Sequence, residues 1–169
     1  MAARMGSLIV AALMVLGAVL GCPRAIAAQG DLDRVLATLE GSWEGEGELL
    51  GRPATFMMTW EIALNGKFLR LDFRNAFADI DPVHPVLESH AYYLLGGPTL
   101  TGQWMDSRGV ILSLRAEVVG SALVTHWTGE ESGRTEYRVI DEDTLEVIDY
   151  VRAEGEYRLF AKARYRRVR

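Results

Sequence analysis

Three histidines, His84, His90 and His126, are the side chains of this chain suited to acid–base work near neutral pH. None stands at the i, i+4 or His-x-His spacing that closes on zinc, and Cys22 is the single cysteine. No metal site is therefore expected, and no intramolecular disulfide can form. His90 shares a strand face with Glu88 and Tyr92. That row would serve proton transfer if it faced a cavity, and is otherwise a solvated strand face. His126 alternates with Ala122 and Val124; on an inward row it would hydrogen-bond a ligand or a buried carboxylate, or stand as a satisfied core histidine. Gly45-Glu46-Gly47 with Gly51 lacks the following helix that a phosphate-binding loop requires, and reads as small residues in a bent strand. No serine sits in a Gly-x-Ser-x-Gly setting. No catalytic residue and no cofactor is assigned.

Apolar side chains supply a different chemistry. Met58, Trp60, Leu71, Phe73 and Trp104 fall on strand faces expected to look inward, and with His126 they form the candidate ligand-binding set. They either line a pocket or fill it, since small barrels can be packed solid. The expected partner is a small apolar or amphipathic molecule.

The elements that must position these residues follow from hydrophobic period. Leu32, Val35, Leu36 and Leu39 recur at helical spacing between Asp31, read as the N-cap, and Gly41, read as the residue past the end. From Gly41 onward the period is two. Trp43, Gly45, Gly47 and Leu49 alternate with Glu44, Glu46 and Glu48, which places acids toward water. Phe56, Met58, Trp60, Ile62 and Leu64 form a second alternating row, and Asn65-Gly66 then signals a type I′ hairpin into Leu69, Leu71 and Phe73. Pro82 and Pro85 exclude a central strand between Ala78 and Leu87.

Seven further strands are read at Glu88–Leu95, Leu100–Met105, Val110–Val118, Ala122–Thr128, Arg134–Ile140, Leu145–Arg152 and Glu156–Arg167, separated by short turns. The inward parity of the strands around His90 and His126 is left open. With no second helical pattern, the fold expected is all-β: a closed antiparallel up-and-down barrel of about ten strands with one short N-terminal helix. Closure removes both exposed sheet edges. It also sets the last strand beside the first, so the Arg167 guanidinium can stack over the Trp43 indole and lock the ring. On the last strand, Tyr157, Leu159, Ala161, Ala163, Tyr165 and Arg167 are read as one inward row.

The domain organisation expected is a signal peptide over residues 1–27 and a barrel domain over 28–169. Arg4 gives a positive start, Ser7–Leu20 is an apolar run too short to span a membrane, and Ala25-Ile26-Ala27 is a small-x-small cleavage signal. Val19-Leu20-Gly21-Cys22 reads alternatively as a lipobox with Cys22 lipidated. The protein is then periplasmic or secreted, and meets a membrane only if Cys22 carries lipid. Eighteen basic against 23 acidic residues give a net charge of −5, a balance that disfavours nucleic acid.

Gly41-Ser42-Trp43 after a short helix, answered by Arg167, resembles the calycin superfamily, to which lipocalins and fatty-acid-binding proteins belong. A closer likeness is to a bacterial lipocalin-like family of unknown function. It runs through Leu39-Glu40-Gly41-Ser42-Trp43-Glu44-Gly45, Asn65-Gly66-Lys67-Phe68-Leu69, Trp104-Met105-Asp106-Ser107-Arg108-Gly109 and Tyr165-Arg166-Arg167. The chain is also similar to nitrobindins, whose haem is held by a histidine on the last strand; Glu156–Arg169 contains none. The resemblance implies a ligand-enclosing barrel without an established activity. Three functions follow as expectations: binding of a small hydrophobic molecule without catalysis, a haem-binding or isomerase-type enzyme using His126 or His90, or an envelope lipoprotein acting as an interaction module.

Overall fold

The computed structural model describes residues 23–79 and 85–169, with the side chains of 23–28 excepted. Cys22, the apolar run before it and His84 lie outside the described residues. The order is one helix, α1 (Pro23–Leu39), then ten strands: β1 (Gly41–Leu49), β2 (Arg52–Ala63), β3 (Phe68–Phe77), β4 (Leu87–Leu94), β5 (Thr99–Asp106), β6 (Ile111–Val119), β7 (Ala122–Thr128), β8 (Ser132–Asp141), β9 (Thr144–Ala153) and β10 (Glu156–Arg167). Each strand pairs antiparallel with its sequence neighbours, and β10 pairs with β1, so the sheet is a closed ring. This is the all-β, ten-stranded up-and-down barrel with one N-terminal helix that the alternation implied.

Turn chemistry fixes the β2–β3 register. Asn65 and Gly66 have φ of 57° and 76°, and the Lys67 amide donates to the Leu64 carbonyl at 3.3 Å, the type I′ arrangement. Leu64 is also left-handed at φ 50°, so the connection from Ala63 to Phe68 spans four residues, 64–67.

The two ends of the barrel differ. Trp43, Trp60, Leu69, Leu100, Leu123 and Leu145 all lie toward one end and are at most 1 % exposed. There α1 closes the ring with Leu32, Val35, Leu36 and Leu39, its apolar stripe turned onto the barrel core. The helix is longer than its periodic stripe: Asp31 sits inside it, paired with Arg34 at 3.1 Å, instead of capping it.

Trp43 and Arg167 join helix to ring. Paired opposite each other across β1 and β10, they stack with the guanidinium carbon 4.2 Å from the indole centroid. The indole N–H donates to the Leu39 carbonyl at 2.8 Å. Arg167 donates to the Thr38 and Glu40 carbonyls, each at 2.6 Å, and to Glu142 at 3.0 Å. Helix C-termini leave carbonyls unpartnered, and a cation there also complements the helix dipole. A side chain from the far end of the sequence therefore caps α1.

Two glycines let backbone and rings meet. A Cβ at Gly45 would fall 2.8 Å from the Tyr165 ring, and one at Gly133 would collide with the Trp127 ring and the Tyr150 carbonyl.

One feature of β10 departs from strict alternation. The β9–β10 register shifts between Leu159 and Ala161, a bulge that accommodates Phe160 as an extra residue. Tyr157 and Leu159 consequently point outward, 41 % and 58 % exposed, while Ala161, Ala163 and Tyr165 are buried. The single inward row read from the sequence is thus broken at the bulge.

Candidate functional site

At the end opposite α1 the barrel is not packed solid. A cavity of about 360 Å³ opens there, within the range of small-ligand pockets. Its rim is formed by Leu49 and Leu50 at the β1–β2 turn, Val86 and Leu87 at the start of β4, Arg108 after β5 and Glu131 before β8. Phe56, Phe73, Trp104, Leu112, Leu114 and Trp127 supply apolar wall, and Phe160 reaches it because of the bulge.

The candidate ligand-binding residues divide. Phe73 and Trp104 line the cavity, with ring centroids 5.8 Å apart. Met58, Trp60 and Leu71 point inward but are buried below the cavity floor as core, between 0 % and 2 % exposed. Trp60 packs edge-on to Tyr137 at 5.1 Å and tilted to Tyr93 at 5.8 Å.

His126 faces outward. On β7 the row Leu123, Thr125 and Trp127 is buried throughout, whereas on the other row only Ala122 is, and the imidazole stands on the outer surface with Nδ1 3.4 Å from the Tyr157 hydroxyl. Both faces of β7 carry apolar residues, so alternation selected the wrong one. His90 is likewise on the outer face, 2.6 Å from Asp72. Neither imidazole reaches the cavity, which removes the residues on which the enzymatic alternative rested.

Polar groups of the cavity escaped the sequence reading. Asp149 on β9 lines the wall and accepts a hydrogen bond from the Thr135 hydroxyl at 2.6 Å. Burial pushes its pKa up to about 6, the Thr135 bond opposing. The Tyr93 hydroxyl lies 3.4 Å from Thr125, and burial raises its pKa to about 12. Tyr137 and Tyr165 are raised for the same first cause, with the Asp149 charge adding. Asn75, 6 % exposed, also lines the cavity, and its Oδ1 has no hydrogen-bond partner among the described residues. A signal for Asp149 existed: it is the one carboxylate on the row Leu145, Val147, Asp149, Val151.

The Trp104–Gly109 segment forms the rim clasp. Asp106, whose side chain is shut off from solvent, accepts from the Trp104 indole at 3.0 Å and pairs with Arg108 at 2.7 Å. Burial alone would raise the Asp106 pKa, but the bonds from Arg108 and Trp104 outweigh it and the net shift is downward. Arg108 then crosses to Glu131 at 2.7 Å, tying the β5–β6 turn to the β7–β8 turn.

Fold and site define a closed ten-stranded up-and-down barrel with one capped end and one hollow end. The S-type phycobiliprotein lyase CPES from Guillardia theta has a similar structure, with a TM-score of 0.59 at 11 % identity over 85 % of this chain and 96 % of that one. No protein-family model matches the chain, and no curated protein matches it in sequence. Among the described residues, no helix is long and apolar enough to cross a membrane, and no group of three or more His, Cys, Asp or Glu side chains is placed to hold a metal.

Proposed function

We propose that this protein is a calycin-type carrier that holds a small hydrophobic or amphipathic molecule in the cavity at its open end, without chemistry of its own. The observation that carries this reading is the 360 Å³ hollow walled by aromatic and aliphatic side chains. An unfilled apolar cavity costs stability, because its lining forgoes dispersion contacts and burial that a packed core would have. The ring could have been filled as it is at the α1 end. The likeness to a protein named as a phycobiliprotein lyase supports the fold within this reading and carries no lyase activity to this chain.

The reading includes export. Cleavage after Ala27 would leave Leu32, Val35, Leu36 and Leu39 of α1 to close the barrel, so a periplasmic or secreted form keeps its plug. Lipidation of Cys22 would instead tether the same domain to a membrane.

Titration with N-phenyl-1-naphthylamine, an uncharged probe that brightens in apolar surroundings, tests the proposal. We expect one site per chain, weakened at least tenfold in Ala161→Trp and Val147→Trp, which place an indole on the cavity wall. Absence of binding to the folded wild type would overturn it, as would unchanged binding in both variants when circular dichroism shows them folded.

A further inference from the structure

We infer that the molecule held in the cavity carries a protonated nitrogen, with Asp149 as its anchor. This deepens the binding reading above and rests on it. Among the described residues, two acceptors on the cavity wall have unused hydrogen-bonding capacity. Asp149 has one bond among the described residues, from Thr135, and no lysine, arginine or histidine contributes a compensating charge to it. Asn75 adds an unpartnered acceptor on β3, separated from β9 in the ring by β10, β1 and β2, hence on the far wall. Unmatched acceptors on an apolar wall call for a ligand that donates, and an unmatched carboxylate calls for one that is positive.

The charges around the cavity leave that role open. Among the described residues, the titratable groups facing Asp149 are the phenols of Tyr93, Tyr137 and Tyr165, none of which can neutralise it. At the rim, Arg108 is engaged by Asp106 and Glu131. Glu131 adds acid at the entrance. The walls suit a cation as well, since Phe73, Trp104 and Trp127 offer aromatic faces that attract a positive group once it is stripped of water. A fatty acid of the same size would set its carboxylate against Asp149, a like-charge contact that specific sites use for rejection.

Calorimetric titration with three ligands sharing one ring system tests this: 1-naphthylmethylamine, 1-naphthalenemethanol and 1-naphthoate, each with wild type and with Asp149→Asn at pH 7.5. The amine should bind wild type at least tenfold more tightly than the alcohol, and the carboxylate most weakly. In Asp149→Asn the advantage of amine over alcohol should vanish while the alcohol keeps its affinity, which shows the cavity intact. Equal affinities in wild type, or an amine preference that survives the substitution, would overturn the inference and leave the carrier reading standing. Loss of N-phenyl-1-naphthylamine binding by folded wild type is the separate result that removes both.

Discussion

At pH 7.5 the Asp149→Asn variant is expected to be more stable than the wild type by about 3 kcal/mol, and the gap should close toward pH 4. The folded-state pKa of Asp149 is raised by burial from 3.8 to about 6. A raised carboxyl binds its proton more tightly in the folded state than in the unfolded one. Its stabilising contribution is therefore complete below the unfolded value and is lost as pH rises through the folded value. Above about pH 6 the folded protein carries a charge on the cavity wall without a countercharge among the described residues. Asparagine keeps the shape and an acceptor for Thr135 but cannot ionise.

The wild-type profile alone would not isolate this group. Glu146, lowered chiefly by its bond from Lys162, and Asp106, where the bonds from Arg108 and Trp104 outweigh burial, act with the opposite sign. They favour the fold at neutral pH and lose that contribution as pH falls. The difference between variant and wild type in urea titrations at pH 4 and 7.5 cancels those terms. A gap of constant size would show that the substitution changes packing and not ionisation. A variant less stable at pH 7.5 would contradict the placement of Asp149.

Arg167→Ala should lower stability by about 3 kcal/mol, seen as a fall in Tm of roughly 10 °C. The loss has three parts. The Thr38 and Glu40 carbonyls at the end of α1 lose their donors, the Glu142 turn is released from β10, and the Trp43 indole loses its cation. Arg167→Lys should recover less than half, because one ammonium cannot serve three diverging carbonyls while lying flat on a ring. Thermal melts of the three proteins measure this. A Tm within about 2 °C of wild type for Arg167→Ala would mean that the ring and its helix cap hold without the clasp.

Strand number, order and closure were legible because the period-two pattern and the turn residues repeat from Gly41 to Arg167, broken only by the proline-bearing segment between Ala78 and Leu87. The Trp43–Arg167 pairing followed from closure plus parity. Strict parity also explains where the reading failed. On β7, Ala122, Val124 and His126 compete with Leu123, Thr125 and Trp127, and composition alone cannot say which row is inside. On β10 the bulge at Phe160 exchanges the faces, and no glycine or other local residue announces it. The core candidates Met58, Trp60 and Leu71 were correctly turned inward, but depth along the barrel axis depends on strand stagger, which a sequence does not print. Asp149, a lone acid in an apolar row, is a more telling sign of a built interior than histidines on strands with two apolar faces.

Methyl-resolved NMR on the wild type, with and without N-phenyl-1-naphthylamine, tests the hollow end most directly. Binding in the cavity should move the resonances of Leu112, Leu114, Val147 and Val151, which line it, and leave those of Leu36, Leu69 and Leu145 at the α1 end in place. Shifts confined to the outward-facing Ile111 and Leu159, or none at all, would contradict a ligand site inside the barrel.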